Sequence, residues 1–293
     1  AMRPGLVSGR YPERGDRETG WIDRSFTALQ GRLARQRINR RAGLRKVAAA
    51  IGRQGETLTA LNTAQLDNQR VELRRRFLSR GLSNPLCIRA FALLRELAER
   101  TIHMRHYDSQ LMAGWVMLQG QLAEMETGEG KTLAATLAAA TAALAGVPVH
   151  VITVNEYLVE RDAKIMSPLY YALGLTVGFV TQSMAPEERR AGYACDITYC
   201  TNNQVAFDYL RDRLLLGNNR SRLRLQLESA YADNNRLGQF MLRGLCFAIV
   251  DEADSVLIDE ARTPLILTRS VDSAAEHTAY RQALKLAQAL ENG

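Results

Sequence analysis

The sequence predicts an α/β domain, a parallel sheet with flanking helices, preceded by a basic and mainly helical N-terminal region. Two observations carry this prediction. From about Leu122 onward, short apolar runs alternate with helical stretches, which is typical of a parallel sheet whose strands are joined by helices. Before Leu122, the helical patterns follow one another directly and are rich in arginine. With 46% hydrophobic residues among 293, the chain is able to bury a core of this kind.

The N-terminal elements follow a start that is rich in proline and glycine, where no element is predicted. Apolar spacing predicts a helix over 25–51, a break at Gly52–Gly55 and a second helix over 57–78. A third helix is predicted over 86–100, because Pro85 stands where a proline fits the first turn of a helix.

The later elements alternate between strand and helix. Six short apolar runs are predicted strands: Leu122–Met125, Val147–Val154, Leu175–Val180, Asp196–Thr201, Cys246–Val250 and Leu265–Thr268. The helical patterns between them cover Thr132–Ala145, Glu156–Leu173, Pro186–Ala191 and Gln204–Leu216. Two of the runs, Val147–Val154 and Cys246–Val250, are almost entirely apolar, as central strands should be. The polar, arginine-rich stretch 217–244 is predicted to be a surface excursion.

The net charge of +7 is unevenly distributed along the chain. Residues 1–105 hold 22 Arg and Lys against 9 Asp and Glu, whereas the remainder holds 16 against 22. The basic front indicates an anionic partner, either nucleic acid or a phospholipid surface, or else a well-solvated helical face. Residues 30–76 contain no aromatic side chain on which bases would stack, so nucleic acid is the less favoured partner.

Cysteine and histidine spacing argues against a zinc site, and no zinc is expected. No apolar run reaches the roughly 18 residues of a membrane span, and the N-terminus lacks the pattern of a secretory signal. A reducing, cytosolic setting is therefore expected. The cysteines form no CxxC pair and are expected to be small buried residues: Cys87, Cys195, Cys200 and Cys246.

The segment 125–132, METGEGKT, has the composition and position of a phosphate-binding loop. It follows a predicted strand and opens a predicted helix, which is the context that such a loop requires. Gly128 and Gly130 allow backbone N–H groups to face phosphate oxygens, and the helix adds its positive dipole end. Lys131 is then expected to reach the β- and γ-phosphates, and the Thr132 hydroxyl to join the shell of a Mg²⁺ ion.

A second acidic motif follows the apolar run Cys246–Val250. The sequence 251–254 is DEAD, and ligand-facing groups lie at the carboxyl ends of buried parallel strands. Asp251 is predicted to hold Mg²⁺, through water, and Glu252 to orient or deprotonate the attacking water. The alternative, an acidic turn after a core strand, requires the upstream loop to be a coincidence. The two motifs together predict an ATP or ADP site with Mg²⁺, with Glu252 and Lys131 as the catalytic residues.

Several segments resemble the SecA family of preprotein translocase motor ATPases. The longest similarity is Ile249–Ile266, IVDEADSVLIDEARTPLI, which distinguishes that family from ordinary DEAD-box helicases. Further similar segments are 104–111 (MRHYDSQL), 123–133 (AEMETGEGKTL), 149–163 (VHVITVNEYLVERDA), 196–203 (DITYCTNN) and 207–212 (FDYLRD).

The resemblance implies a RecA-like P-loop NTPase fold and further contacts with the nucleotide. Gln110 matches the glutamine that reads the adenine edge, with Met104 and Tyr107 beside the base, and Arg161 matches an arginine on the outer face of the nucleotide. From the residues alone, a helix cap for Gln110 and an exposed helix charge for Arg161 are the simpler interpretations. The implied nucleotide-binding set is Met104, Tyr107, Gln110, Thr127, Gly128, Glu129, Gly130, Lys131, Thr132 and Arg161, with Thr132 and Asp251 at the metal.

The resemblance also implies a domain order and a function. Residues 1–83 are expected to form the basic N-terminal arm, residues 84–268 the first nucleotide-binding domain, and residues 269–293 the start of a preprotein cross-linking domain or a C-terminal helical tail. The expected activity is that of the ATP-binding half of a motor that drives preproteins through the Sec membrane channel. Little turnover is expected without the arginines of a second nucleotide-binding domain. The alternatives are a fragment of a superfamily 2 helicase and a non-catalytic, nucleotide-switched interaction module.

Partners and location follow from the same resemblance. The expected partners are the Sec channel, preproteins, an anionic phospholipid surface and a second copy in a homodimer, at the cytoplasmic, inner face of the cell membrane. The sequence also departs from the family, which has glycine at positions 103 and 200 and valine at position 253. The stretch 214–245 is longer than the family's connector. These departures are typical of a divergent or accessory member.

Overall fold

The computed structural model describes residues 41–216, 239–260 and 281–283. The chain divides into two compact units, residues 1–262 and 263–293, and only a helical stretch at 281–283 is described in the second. The first unit contains, in chain order, the helices and strands α1 (Arg41–Thr59), α2 (Thr63–Arg80), α3 (Asn84–Ile102), α4 (Asp108–Leu118), α5 (Lys131–Leu144), β1 (Val149–Thr153), α6 (Glu156–Ala172), β2 (Val177–Val180), α7 (Pro186–Ala194), β3 (Ile197–Thr201), α8 (Asn202–Leu216) and β4 (Phe247–Val250), followed by a π-helical turn, Ser255–Asp259.

The four described strands form one parallel sheet in the order β2-β3-β1-β4. In the central strand β1, Val149 lies opposite Ile197 of β3 and Phe247 of β4. Because all strands run in the same direction, their carboxyl ends meet at one edge, at Thr153, Thr201 and Val250. The α/β class and the parallel sheet with flanking helices are confirmed. No helix in the described ranges is long and apolar enough to cross a membrane.

Helix α5, which carries the phosphate-loop lysine at its start, lies in the middle of the core. Leu133, Ala134 and every residue from Thr136 to Leu144 are buried. Its small side chains allow close packing, since a Cβ added at Gly114 of α4 would lie 2.8 Å from the Leu137 Cβ. The hydrophobic cluster that contains α5 also includes buried residues of the first two helices, α1 and α2, among them Ile51, Leu58, Leu66 and Phe77.

Two of the predicted element boundaries are wrong. Helix α1 continues through Gly52–Gly55, because Ile51 and Leu58 on either side of the glycines are both buried against the core. That burial offsets a cost of about 1 kcal/mol for each glycine within a helix. Accordingly, the second helix begins at Thr63, where the Asn62 side chain accepts a hydrogen bond from the Gln65 amide.

The predicted strand Leu122–Met125 is also wrong, since residues 121–126 form no regular element. The Leu122 side chain is 81% exposed, so this run has no buried apolar face. The other four predicted strands within the described ranges are confirmed, each beginning one or two residues later than predicted. Of the two runs predicted to be central strands, β1 is central, whereas β4 lies at the edge of the described sheet. The predictions for 1–40, 217–238 and the strand Leu265–Thr268 lie outside the described residues. At the described end of the predicted surface excursion, Phe240 and Leu242 are buried in a small hydrophobic cluster, so that part of the prediction is wrong.

Two buried carboxylates of α8, those of Asp208 and Asp212, bind chain segments on both sides of this helix in the sequence. Asp208 accepts hydrogen bonds from Arg189 Nη1 (3.1 Å), the Tyr193 hydroxyl (3.1 Å) and two further groups, Gln204 Nε2 and Arg211 Nη1. Asp212 accepts from the backbone N–H groups of Met241 (2.7 Å) and Leu242 (2.8 Å). The segment that returns to β4 is therefore fixed to α8 before the strand begins.

Candidate nucleotide-binding site

The loop before α5 has the backbone that phosphate binding requires. Gly128 and Gly130 have φ angles of +88° and +78°, in the left-handed region that favours glycine. Lys131 is the first residue of α5 and its side chain is exposed, while Thr132 follows on the first turn. The loop therefore ends at a helix N-terminus, where unpaired N–H groups and the helix dipole favour an anion.

Gln110 braces this loop from α4. Its side-chain oxygen accepts from the Tyr107 N–H (2.9 Å) and its Nε2 donates to the Glu129 carbonyl (2.8 Å). A Cβ added at Gly130 would lie 2.4 Å from the Gln110 Nε2, so this contact also requires glycine there. The helix cap, the simpler interpretation of Gln110, is therefore present, and the same side chain contacts the phosphate loop. Its role at the adenine stays a prediction.

The residues expected beside the base precede Gln110 closely in the chain. Met104 and Tyr107 belong to the segment that leads into α4, and their side chains are 43% and 74% exposed. Between them, His106 is buried, and its Nε2 lies 3.1 Å from the Leu133 carbonyl of α5. Burial lowers the pKa of His106 to about 4, with a smaller contribution from the charge of Arg95. The neutral imidazole therefore connects this segment to the first turn of α5.

A cavity of about 620 Å³ lies where the phosphate loop meets the carboxyl ends of β1 and β4. Lys131 and Thr132 line it from α5, and Asp251 and Glu252 line it from the end of β4. Two motifs that are 119 residues apart in the sequence, counted from Thr132 to Asp251, are therefore brought to one cavity. The predicted catalytic and metal-binding residues all line it. The other predicted nucleotide-binding residues are outside its lining: Met104, Tyr107, Gln110, Thr127, Gly128, Glu129, Gly130 and Arg161.

The acidic turn after β4 is fixed at its start and strained at its second residue. The Asp251 N–H donates to the Ile152 carbonyl of β1 (2.8 Å), and the Asp251 Oδ1 accepts from the Glu252 N–H (3.1 Å). Glu252 has a φ of +53°, a left-handed conformation that costs a non-glycine residue about 1–2 kcal/mol. Backbone strain of this kind is concentrated at functional sites.

The oxygen groups at this cavity suit Mg²⁺. This ion prefers carboxylate, hydroxyl, water and phosphate oxygens and keeps several of its water molecules. The Thr132 hydroxyl and the Asp251 carboxylate both line the cavity and are the groups that would hold it. The donor set therefore fits a magnesium nucleotide.

Arg161 lies on α6, where its guanidinium is bound to the neighbouring Asp162. Its Nε and Nη2 lie 2.8 Å and 2.7 Å from the same carboxylate oxygen, Asp162 Oδ1. The guanidinium also lies over the Tyr157 ring, 5.9 Å from its centroid. Asp162, in contrast to Arg161, is buried and lines the cavity.

Thr153, Asp162 and Tyr199 are among the polar residues of the cavity lining that sequence reasoning missed. Thr153 was detectable in principle, because it ends a predicted strand at the ligand-facing edge of the sheet. Asp162 gave only a weak signal, since an aspartate next to an arginine on a helix is usually an exposed pair. Tyr199 lies in the middle of β3 with its hydroxyl 3.2 Å from that of Tyr170, and its contacts depend on a helix 29 residues away.

The predicted burial of the four cysteines is confirmed for two of them and wrong for the other two. Cys87 and Cys200 are buried, and burial raises the pKa of each thiol to about 12. Cys195 and Cys246 are only half-buried, with burial again raising the pKa of both.

The parallel sheet, the central phosphate-loop helix and the acidic turn at the sheet edge are those of a RecA-like α/β nucleotide-binding domain. Comparison with known families then specifies which one. The family model described as "SecA DEAD-like domain" matches residues 29–293, and the chain belongs to this family. Membership of an ATPase family of this kind implies nucleotide binding. The alternative of a nucleic-acid helicase fragment is not favoured.

Curated relatives carry names that agree with the family. The protein named "Protein translocase subunit SecA 2" of Bordetella avium is 48% identical over 286 residues, covering 97% of this chain and 43% of that protein. "Protein translocase subunit SecA 3" of Magnetococcus marinus is 45% identical over 97% of this chain and 43% of its own length. "Protein translocase subunit SecA" of Neisseria meningitidis is 46% identical over 78% of this chain and 23% of its own length. The chain thus spans less than half of these relatives.

Proposed function

We propose that this chain is the ATP-binding half of a SecA-type motor, which couples ATP hydrolysis to the transport of preproteins through the Sec membrane channel. The observation that carries the proposal is the single cavity lined by Lys131, Thr132, Asp251 and Glu252. The names of the relatives, all translocase subunits, support the coupling of this site to protein transport.

In this proposal each residue of the cavity has a separate task. The N–H groups of the loop and the Lys131 ammonium bind the phosphates, and Lys131 neutralises charge that develops during transfer. The Thr132 hydroxyl and the Asp251 carboxylate hold Mg²⁺, which when bound neutralises phosphate charge. Glu252 accepts the proton of the water that attacks the γ-phosphorus, while the bond to the ADP oxygen breaks. The exposed, cavity-lining position of Glu252 supports this role.

The finer parts of the proposal concern the surroundings of the site. Met104, Tyr107 and Gln110 are assigned to the adenine from the family resemblance, and the hydrogen bond from Gln110 to the phosphate loop supports a position of this side chain beside the nucleotide. The partners are preproteins, the Sec channel, an anionic phospholipid surface met by the basic N-terminal region, and a second copy of the chain. The working location is the inner face of the cell membrane. Turnover by this chain alone is low, because the arginines of a second nucleotide-binding domain are needed for hydrolysis.

The test is nucleotide binding by a Lys131→Ala variant, measured by calorimetry with MgADP and a slowly hydrolysed MgATP analogue. The variant is expected to lose at least about tenfold in affinity, because it removes the ammonium that faces the phosphates. Lys164→Ala is the matched control, since Lys164 is an exposed lysine on α6 that is outside the cavity lining. Equal affinities in the wild type and Lys131→Ala would rule out this loop as the phosphate site.

A further inference from the structure

One wall of the nucleotide cavity is the segment 251–260, which contains the acidic turn and the π-helical turn after it. We call it the wall segment. Val256 is its only buried side chain, whereas Leu257 and Ile258 are 63% and 59% exposed. Because so little of the wall segment packs against the core, its conformation depends on a small number of hydrogen bonds. Six of its residues line the cavity: Asp251, Glu252, Ala253, Asp254, Leu257 and Ile258.

The backbone of the wall segment is unusual in two places. Glu252 has its left-handed φ of +53°, and Ser255–Asp259 form a π-helical turn, a rare form that is frequent at functional sites. The two places are connected, since the Val256 N–H donates to the Glu252 carbonyl (3.1 Å). Strained backbone persists only where surrounding contacts hold it, so the contacts at both ends of the wall segment are important for Glu252.

Hydrogen bonds fix the wall segment at its start and at its end. At the start, the Asp251 N–H donates to the Ile152 carbonyl of β1 (2.8 Å). At the end, Asn202 Nδ2 donates to Glu260 Oε2, from a position 58 residues earlier in the chain. Among the described residues, this is the only hydrogen bond between residues 253–260 and another element.

Asn202 reaches Glu260 from the far side of the central strand. It is the first residue of α8, directly after β3, and β3 and β4 lie on opposite sides of β1. The bond therefore connects the ends of two strands that are about 10 Å apart.

The orientation of the Asn202 amide follows from this contact. Because a carboxylate only accepts hydrogen bonds, the amide presents its Nδ2 to Glu260. This leaves the Asn202 Oδ1 buried, without a partner in the part of the chain that the structure describes. A buried, unpaired oxygen is unfavourable, so stability alone explains this asparagine poorly.

We infer that Asn202 and Glu260 are a positioning pair for the residue that activates water. Their hydrogen bond holds the end of the wall segment and thereby keeps Glu252 in its left-handed, cavity-lining conformation. Neither Asn202 nor Glu260 lines the cavity, so both act through Glu252. The inference rests on the proposed function, because it assumes that Glu252 accepts the proton of the attacking water.

Amide hydrogen exchange, measured by NMR on the whole chain, tests the positioning without reference to hydrolysis. Asn202→Ala and Glu260→Ala each remove one side of the bond, and each is expected to accelerate exchange of the Val256 amide at least about tenfold. The Asp251 amide, which is held by Ile152, is expected to stay within about threefold of the wild type. Unchanged exchange at Val256 in both variants would overturn the inference.

A reversed pair distinguishes the hydrogen bond from a packing effect. Asn202→Asp alone places two carboxylates opposite each other, and exchange at Val256 is expected to accelerate as in the alanine variants. Combining Asn202→Asp with Glu260→Gln exchanges the donor and the acceptor and keeps the net charge of the pair. The combined variant is expected to return to within about threefold of the wild type, and an absence of recovery would contradict the assigned bond.

The effect on the reaction is measured by single-turnover hydrolysis of MgATP, with MgADP affinity from calorimetry. Asn202→Ala and Glu260→Ala are expected to lower the rate about tenfold and to leave the affinity within about threefold, because the phosphate loop is unchanged. Asn62→Ala is the control, since it removes the cap of α2 and is expected to reduce stability without this selective loss of rate. Equal losses of rate and affinity in Asn202→Ala and Glu260→Ala would indicate general disruption and overturn the inference.

Glu252→Gln, measured in parallel, separates this inference from the proposed function. A Glu252→Gln variant that hydrolyses MgATP as fast as the wild type would contradict the role of Glu252 itself. If Glu252→Gln is slow but Asn202→Ala and Glu260→Ala are as fast as the wild type, the proposed function stands and the positioning pair is wrong.

Discussion

Gly130 is constrained twice, once by its own backbone and once by a neighbouring side chain. Its φ of +78° disfavours any residue with a Cβ, and that Cβ would lie 2.4 Å from the Gln110 amide nitrogen. Gly128 has a similar φ of +88° but no atom within 4 Å of the Cβ position. A comparison of substitutions at the two glycines therefore distinguishes the effect of backbone strain from the effect of displacing Gln110.

We expect Gly130→Ala to weaken MgADP binding at least about tenfold more than Gly128→Ala does. Both variants carry the backbone strain of about 1–2 kcal/mol, but only Gly130→Ala also forces Gln110 away from the Glu129 carbonyl. Calorimetry on both variants, with thermal unfolding to confirm folding, checks this difference. Similar losses in the two variants would show that the Gln110 contact contributes nothing to binding.

Residues differ in how far the sequence alone can place them. The two loop glycines were predicted correctly, because a phosphate loop requires their conformational freedom. The left-handed conformations of His103 (φ +56°) and Glu252 (φ +53°) were not predictable from their side chains. His103 follows α3 as its C-cap, a position where glycine is usual, which explains physically the glycine that the resemblance gives there.

At the scale of elements, helix α8 does more than cover the sheet. Its Asp212 is fully buried and accepts hydrogen bonds from the N–H groups of Met241 and Leu242, which shortly precede β4 in the chain. An ionised carboxylate accepts from both groups, whereas an amide presents a donor to one of them. This difference makes the contact testable with a nearly isosteric change.

We expect Asp212→Asn to lower the free energy of unfolding by about 1–3 kcal/mol, because one buried N–H group loses its acceptor. Asp67→Asn is the control, since Asp67 pairs with Arg70 at the exposed surface and is expected to cost at most about 1 kcal/mol. Urea unfolding measures both values. Hydrogen exchange at Met241 and Leu242 should also accelerate in Asp212→Asn alone, and unchanged exchange would contradict the assigned contact.

Elements were predicted well where burial and periodicity agree, and poorly where they do not. Strands β1 and β4 were recognised because their runs are nearly all apolar. The run Leu122–Met125 has the same local composition as a short strand, but its exposure depends on which chain segments lie beside it. The glycines at 52 and 55 suggested a break, and only the tertiary burial of Ile51 and Leu58 makes the continuous helix favourable.

At the scale of the whole molecule, two buried histidines make stability dependent on pH. Burial lowers the pKa of His106 and of His150 from 6.5 to about 4, and the charge of Arg243 adds to the effect at His150. Between about pH 4 and pH 6.5, each of these histidines is protonated in the unfolded chain but neutral in the folded protein. Stability from these groups is therefore fully present above pH 6.5 and is lost as the pH falls toward 4.

We expect the free energy of unfolding to decrease by about 2 kcal/mol per buried histidine between pH 7.5 and pH 5. Urea unfolding at several pH values measures this slope. His106→Gln should reduce it by about half of the histidine contribution, because one of the two titrating groups is removed. His103→Asn should leave it unchanged, since the His103 side chain is exposed. An identical slope in the wild type and His106→Gln would contradict the burial effect at His106.

The assignment of the whole chain depended on motifs and could not have come from composition. The uneven charge indicated only an anionic partner, and that prediction remains untested. By contrast, the loop 125–132 and the turn 251–254 predicted one site from two distant segments. Met125, Lys131 and Thr132 of the loop line one cavity together with all four residues of the turn. What the sequence could not supply was the identity of their neighbours, such as Asp162, because side chains from separate elements come together only in the folded chain.

Helix α5 is buried from Leu133 to Leu144 except at Ala135, and this burial has a mechanical consequence. A helix that is packed along most of its length cannot slide or rotate without opening voids or creating overlaps, and Gly114 already lies at contact distance from Leu137. The first turn of α5 is therefore a stationary anchor, and arrival or departure of a phosphate must be accommodated by the chain around it. The parts that are free to move are those that line the cavity without burial, above all the exposed Leu122 and the turn that carries Leu257 and Ile258. We expect the exposed cavity-lining segments to move first when a phosphate binds or leaves, while the first turn of α5 keeps its position.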